Sequence, residues 1–182
     1  MFYADTIPTP LGQAVAVVND NNALVQLSLR HEENTAETTA FLVQGEPVTW
    51  DKARLAPVAK QLQEYFDGTR TTFDLPLAPR GTPFQQRVWA EMTRIPYGTT
   101  MSYKELAARV GSPGACRAVG GASSKNPVWV VVPCHRIVGS GGTLTGYAGG
   151  LSAKGYLLTL EGAEGGLFAP VWGRTDCGNK AL

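Results

Sequence analysis

The chain has 182 residues, of which 43% are hydrophobic and 17% charged, with a formal net charge of +1. That length suits one domain or two small ones packed together, and the apolar content suits a real core. No apolar run is long enough to span a membrane, and the pattern of a secretory signal is missing from the first residues, so neither is expected.

Residues 2–6, 13–18 and 24–29 alternate or run apolar, with Pro8-Thr9-Pro10 and Asn19-Asp20-Asn21-Asn22 as turns, which predicts a meander of three antiparallel strands. From His31 to Lys52 the pattern is polar and irregular, as in a loop with some helix. Leu55, Val58, Ala59, Leu62, Tyr65 and Phe66 fall at helical spacing, and Gly68 ends that segment. Thr71 to Leu75 reads as one more strand. Pro76 to Arg80 reads as a linker. No residue before it carries evident chemistry, so this half reads as a scaffold.

Thr82-Pro83-Phe84-Gln85 is a capping box with proline at the first helical position, opening a helix with Phe84, Val88, Trp89, Met92 and Ile95 on one face. Ser102-Tyr103-Lys104-Glu105 is a second capping box, for a helix through Val110. Gly111-Ser112-Pro113 turns the chain into a third helix, from Pro113 to about Ser123, giving a helix-turn-helix pattern. That third helix is built from small residues, among them Gly114, Ala115, Ala118, Gly120, Gly121 and Ala122, which cost helix stability. Close packing against another element explains such a helix, and so does entry into the DNA minor groove, about 6 Å wide. Val130-Val131-Val132 reads as a short buried strand that Pro133 ends, presenting Cys134 to a pocket. A last helix runs from about Ser152 to Glu161. Glu161 sits at its carboxyl end, where the helix dipole disfavours an anion, which suggests a specific partner such as His135.

Cys116, Cys134 and Cys177 are odd in number and widely separated, as in a protein with reduced thiols, which predicts a cytoplasmic location. With two histidines and no Cys-x-x-Cys, no metal site is expected, and no cofactor motif occurs. Residues 1–79 hold 5 Lys/Arg against 10 Asp/Glu, whereas residues 80–182 hold 11 against 5, so only the second half is suited to face a polyanion. Cys134 and His135 are the candidate nucleophile and base, because a thiol attacks as thiolate and an imidazole can take its proton. Neighbours on an extended backbone point opposite ways, so the pair needs either a turn or a bridging water.

Pro133-Cys134-His135-Arg136 resembles the active-site signature of the O6-alkylguanine-DNA alkyltransferases, the methylated-DNA–protein-cysteine methyltransferases. Gly81-Thr82-Pro83-Phe84-Gln85, Ile95-Pro96-Tyr97-Gly98-Thr99, Arg117-Ala118-Val119-Gly120, Asn126-Pro127 and Gly146-Tyr147-Ala148-Gly149-Gly150 are similar to that family, in its order. The likeness is continuous from about Gly81 to Gly162. It is looser before that, through Thr9-Pro10-Leu11-Gly12, Tyr65-Phe66 and Gly68, and the stand-alone bacterial type fits best. The resemblance implies an α/β (α+β) fold. An amino-terminal domain, residues 1–79, would carry an antiparallel sheet and a helix. A mostly helical domain, residues 80–163, would carry the helix-turn-helix and a short active-site strand, and residues 164–182 would be a flexible tail.

It also implies a single-turnover repair reaction on double-stranded DNA, entered from the minor groove by a monomer without cofactor. The alkyl group of O6-alkylguanine, and of O4-alkylthymine, would pass to Cys134. His135 would be the general base, Glu161 the orienter of His135, and Tyr103 a donor to the purine. Arg117 would fill the gap left by the extruded nucleotide, with Ala118, Gly121, Ser102 and Tyr103 also touching DNA. Asn126 would brace the hinge. The backbone of Cys134, Ile137 and Ala148, with Tyr147 and Trp129, would line the base pocket. A lesion-binding module without transfer and a Cys134–His135–Glu161 thiol hydrolase are the competing readings; the intact Cys134 argues against the first, and the second leaves the slim helix and Arg117 unexplained.

Overall fold

The computed structural model describes residues 1–29, 42–43, 45–147 and 149–163. His31, Ala148, Cys177 and the tail from 164 to 182 lie outside the described residues.

The meander forms as β1 (Phe2–Thr9), β2 (Gly12–Asn19) and β3 (Leu24–Leu29), paired antiparallel in sequence order. Two further strands, β4 (Leu42–Val43) and β5 (Glu46–Trp50), lie where the sequence suggested loop and helix. They extend the sheet to the order β3-β2-β1-β5-β4, with β5 parallel to β1. β5 shows little periodicity because almost all of it is exposed, so packing leaves no mark on its sequence. One sheet face gathers Ile7, Ala14, Ala16, Val18, Leu24 and Leu27 against α1 (Lys52–Phe66). Asp51 caps α1 by accepting from the Arg54 amide at 3.1 Å.

The expected strand at Thr71–Leu75 is absent. Gln61 on α1 takes both polar groups of that backbone, donating to the Asp74 carbonyl at 2.9 Å and accepting from its amide at 2.8 Å. A side chain therefore replaces the ladder partner. The presumed linker is itself tied down: the Leu24 amide donates to the Pro76 carbonyl at 2.7 Å and the Ala78 amide to the Leu24 carbonyl at 2.9 Å.

In the second half both capping boxes form. Thr82 opens α2 (Pro83–Thr93) and Ser102 opens α3 (Tyr103–Arg109), each with reciprocal bonds to the residue three positions on. α4 begins at Cys116 and ends at Ser124, three residues later than the sequence suggested, because Pro113 and Gly114 are spent in the turn. The Trp89 indole on α2 donates to the Ala122 carbonyl of α4 at 2.8 Å, locking those helices together. α5 spans Leu151–Leu160. One continuous core joins the halves, with Leu55, Leu62 and Tyr65 of α1 in the same cluster as Trp89, Leu106, Val119, Trp129 and Leu157.

The valine run is not a strand. The Val131 amide donates to the Trp129 carbonyl at 2.7 Å and the Val132 amide to the Val128 carbonyl at 3.0 Å, so the segment coils on itself. Val130 has φ of +65°, a left-handed conformation costing a β-branched residue on the order of 1–3 kcal/mol. Val128 through Val132 are all buried, so neither face distinguishes strand from coil and composition alone misled. The short strands near the cysteine are β6 (Met101–Ser102) and β7 (Ile137–Val138), which pair in parallel.

Candidate active site

Asn126, just past α4, explains the coil. Its Oδ1 accepts from the Val128 amide at 2.9 Å, and its Nδ2 donates to the Val132 carbonyl at 2.8 Å and to Cys134 Sγ at 3.3 Å. One side chain thus bridges the whole turn and ends on the thiol. On the outer side, β3 clamps the same segment: the Leu27 amide donates to the Pro127 carbonyl and the Trp129 amide to the Leu27 carbonyl, each at 2.8 Å.

Cys134 starts a single 3-10 turn through Arg136 and is half-buried. Burial pushes its thiol pKa up, opposed by the Asn126 hydrogen bond and the Lys154 charge, so the resting group is the thiol. His135 is fully buried, and burial holds its pKa below the ordinary value, so the ring is neutral near neutral pH. Its Nε2 lies 2.7 Å from Glu161 Oε1. A carboxylate only accepts, so Nε2 carries the proton and Nδ1 keeps its lone pair. Nδ1 is buried and has no hydrogen-bond partner among the described residues. The two side chains therefore do not bond directly.

Glu161 is the hub. Besides His135, Arg136 donates from Nε to Oε2 at 2.8 Å and from Nη2 to Oε1 at 2.9 Å. The Tyr65 hydroxyl donates to Oε1 at 2.6 Å and the Gly98 amide to Oε2 at 3.3 Å. Burial alone would raise this carboxyl, but the His135 and Arg136 hydrogen bonds outweigh it and bring the pKa to about 2. Gly98 has φ of +74°, and a Cβ there would stand 2.8 Å from the Glu161 carbonyl oxygen, so glycine is needed twice over.

Lys154 was not foreseen. It is fully buried and donates from Nζ to the Ile137 carbonyl and, at 2.9 Å, to the Thr145 carbonyl. Desolvation lowers its pKa to about 8. Arg136 and Tyr65 were also missed. The signal for Lys154 lay in the pattern, since Ala153, Lys154, Leu157 and Leu158 share the buried stripe of α5.

Tyr103 opens α3 with its ring near the site. Burial first, and then the proximity of Cys134, raise its phenol pKa, so it stays protonated as a donor. A Cβ on Gly120 would lie 3.8 Å from that ring, in ordinary contact. The Ser102 hydroxyl is engaged in its cap, donating to Glu105 Oε2 at 2.7 Å and accepting from the Glu105 amide at 3.2 Å. Arg117, Ala118 and Gly121 are exposed on one face of α4. No atom lies within 4 Å of a Cβ built on Gly121. Internal packing therefore does not account for that glycine. The carbonyls of Cys134 and Ile137 already accept from the Ile137 amide and Lys154, and each retains a second lone pair.

The model of the 6-O-methylguanine DNA methyltransferase ribonuclease-like domain matches residues 2–79, and that of the DNA binding domain of the same family matches residues 83–163. The chain belongs to this family. A constitutive methylated-DNA–protein-cysteine methyltransferase of Bacillus subtilis is 43% identical over 172 residues, covering 88% of this chain and 96% of the relative. One from Methanosarcina barkeri is 42% identical over 159 residues, covering 87% and 96%. Among solved structures of family members, the Mycobacterium tuberculosis OGT in complex with DNA superposes with a TM-score of 0.77 at 40% identity, over 93% of this chain and 96% of that one. The alkyltransferase family is thus matched in both halves of the chain. Among the described residues no helix is long and apolar enough to cross a membrane.

Proposed function

We propose that this protein is a methylated-DNA–protein-cysteine methyltransferase that repairs O6-alkylguanine in double-stranded DNA by moving the alkyl group onto Cys134, once per molecule. One observation carries the reading: a thiol held by Asn126 is followed, in the same turn, by a neutral, buried His135 whose Nδ1 has no hydrogen-bond partner among the described residues. The thiol proton passes to Nδ1 through a water, and Glu161 stabilises the imidazolium that forms. Sγ attacks the alkyl carbon, the bond from that carbon to O6 breaks, and guanine takes a proton from Tyr103. The imidazolium gives up its proton through water to restore Tyr103, so the net result moves the thiol hydrogen to guanine. A thioether does not revert to a thiol without a further alkyl acceptor, so turnover stops at one.

The target atom is buried in duplex DNA, and extruding the nucleotide costs a few kcal/mol. Arg117, exposed on the slim face of α4, fills the vacated stack, while Ala118 and Gly121 let the helix approach the minor-groove walls. The relative from M. tuberculosis is solved in complex with DNA, which supports DNA as the partner. O4-alkylthymine presents a similar ether to the same thiol. The reaction suits a monomer in the cytoplasm.

Intact-mass analysis after mixing with duplex containing O6-methylguanine tests the proposal. One methyl group per chain, mapped to the Cys134 peptide, is expected. A methyl on Cys116 or Cys177, or turnover beyond one, overturns it.

A further inference from the structure

Among the described residues three buried polar atoms around the site have no hydrogen-bond partner: His135 Nδ1, Trp129 Nε1 and the Tyr147 hydroxyl. The first is accounted for as the proton acceptor. The other two are not used by the transfer step, and buried polar groups in native proteins are normally satisfied.

Both side chains are held firmly. Trp129 is 7% exposed, anchored through its amide to Leu27 and set against Phe66 with ring centroids 6.3 Å apart. The Tyr147 ring lies over Gly149, where a Cβ would come within 3.0 Å of its edge. The Tyr147 hydroxyl is close enough to the Trp129 indole and to the Cys134 thiol for each to act on the phenol as a weak hydrogen-bond partner, yet neither contact meets full hydrogen-bond geometry. The hydroxyl thus lies near both the indole and the sulfur that receives the alkyl group. An indole nitrogen only donates, while a phenol both donates and accepts. Even if the two bonded each other, the phenol proton would still need an acceptor, and a thioether sulfur is a weak one.

We propose that Trp129 Nε1 and the Tyr147 hydroxyl form a subsite that reads a hydrogen-bond acceptor on the group being transferred. The preferred substrates are then O6-alkylguanines whose alkyl chain carries an oxygen beyond the transferred carbon. This rests on the transfer reaction proposed above and adds the class of alkyl group. The chemistry is unchanged: the bond from Sγ to carbon forms, the bond from carbon to O6 breaks, and the thiol hydrogen ends on guanine. The distal oxygen, with two lone pairs, accepts from both Tyr147 and Trp129 as the carbon moves to sulfur, so the two donors are satisfied in the transition state and in the product. A purely apolar chain of the same size leaves them unpaired, which is the arrangement that gives polar sites their discrimination.

The test compares O6-(2-hydroxyethyl)guanine with O6-propylguanine in the same duplex, since the two alkyl groups match in heavy-atom count and differ by one oxygen. Single-turnover rates are measured for the wild-type protein, Trp129→Phe and Tyr147→Phe, and the ratio of the two rates is read within each protein. A general loss of rate or of folded fraction then cancels. The wild type is expected to favour the hydroxyethyl adduct about tenfold, as one hydrogen bond allows, and each variant to bring the ratio close to one. Equal rates in the wild type, or a preference that survives in both variants, overturns the subsite. Methyl transfer from O6-methylguanine, run alongside, separates the two readings. If Cys134 gains methyl while the ratio is flat, only the subsite fails; if it gains none, the transfer reaction itself fails.

Discussion

The Tyr65 hydroxyl donates to Glu161 Oε1 at 2.6 Å across 96 positions of sequence, inside a core where both side chains are buried. A residue of the presumed scaffold half therefore supports the carboxylate that holds His135 and Arg136. Burial first, and then the Glu161 charge, raise the Tyr65 phenol far above its usual pKa, so it remains a donor throughout the accessible range. Tyr65→Phe keeps the ring contacts with Phe66, Phe73 and Tyr97 and deletes only this bond. A hydrogen bond to a charged group contributes about 1.5–3 kcal/mol, so urea unfolding should show a loss of that size. No loss would mean the two halves are not coupled through Glu161.

Arg117→Ala should slow repair of lesion-bearing duplex much more than reaction with the free base O6-benzylguanine, provided that base enters the pocket. Arg117 is exposed on α4, and the role proposed for it in the flipped duplex predicts that difference. Equal losses on both substrates would move it into a structural role. Binding to duplex should also weaken with rising salt, because the basic half displaces counterions from phosphates.

Much of this was legible because local chemistry and final structure agree. The two capping boxes, the meander and the α5 stripe are each specified by residues within a few positions of one another. The misplaced Glu161 charge likewise pointed to His135, since an anion at a helix carboxyl end needs a partner. The failures share the opposite cause. Val130–Val132 has strand-like residues, but Asn126 takes the Val132 carbonyl and β3 takes the backbone of the preceding Pro127 and Trp129, and Gln61 does the same to the stretch ending at Asp74. Tyr65 is similarly an ordinary helix-face residue until the core brings Glu161 to it. Long-range partners of this kind leave no periodic trace in sequence.

Lys154 gives a pH signature. Its folded pKa is about 8, against about 10.4 for a free lysine. Between those values the unfolded chain binds a proton that the folded one does not, so this group adds stability as pH rises from about 8 to 10.4 and costs stability below that window. The stability of the wild type minus that of Lys154→Met should accordingly grow with pH there. The ammonium also holds the Ile137 and Thr145 carbonyls and favours the Cys134 thiolate, so alkyl transfer at neutral pH should fall about tenfold or more in the variant. A flat stability difference would deny the lowered pKa. An unchanged rate would limit Lys154 to packing.

Glu161→Gln separates the structural and chemical duties of the hub. Glutamine offers one oxygen, and at the Oε1 position it can still accept from Tyr65, His135 and Arg136, but its amide then faces the Arg136 Nε and Gly98 donors. Arg136, 7% exposed, is left without its counter-ion. Breaking a buried pair in this way costs about 3–5 kcal/mol, so the variant should melt much earlier. The wild-type carboxyl has a pKa of about 2 against about 4.3 unfolded, so its contribution is complete above that unfolded value and disappears as pH falls toward the folded one. The stability gap between wild type and variant should shrink by about 3 kcal/mol over that acid range. Chemistry is read separately, at a temperature where both proteins are fully folded. Losing the charge beside the imidazolium should lower the single-turnover rate about 100-fold, the lower end for positioned acid–base help. Glu161→Asp retains the charge on a shorter arm. If it melts as early as the glutamine variant yet reacts much faster, the charge serves the reaction. If both variants react at the wild-type rate once folded, Glu161 holds the core together and takes no part in proton transfer.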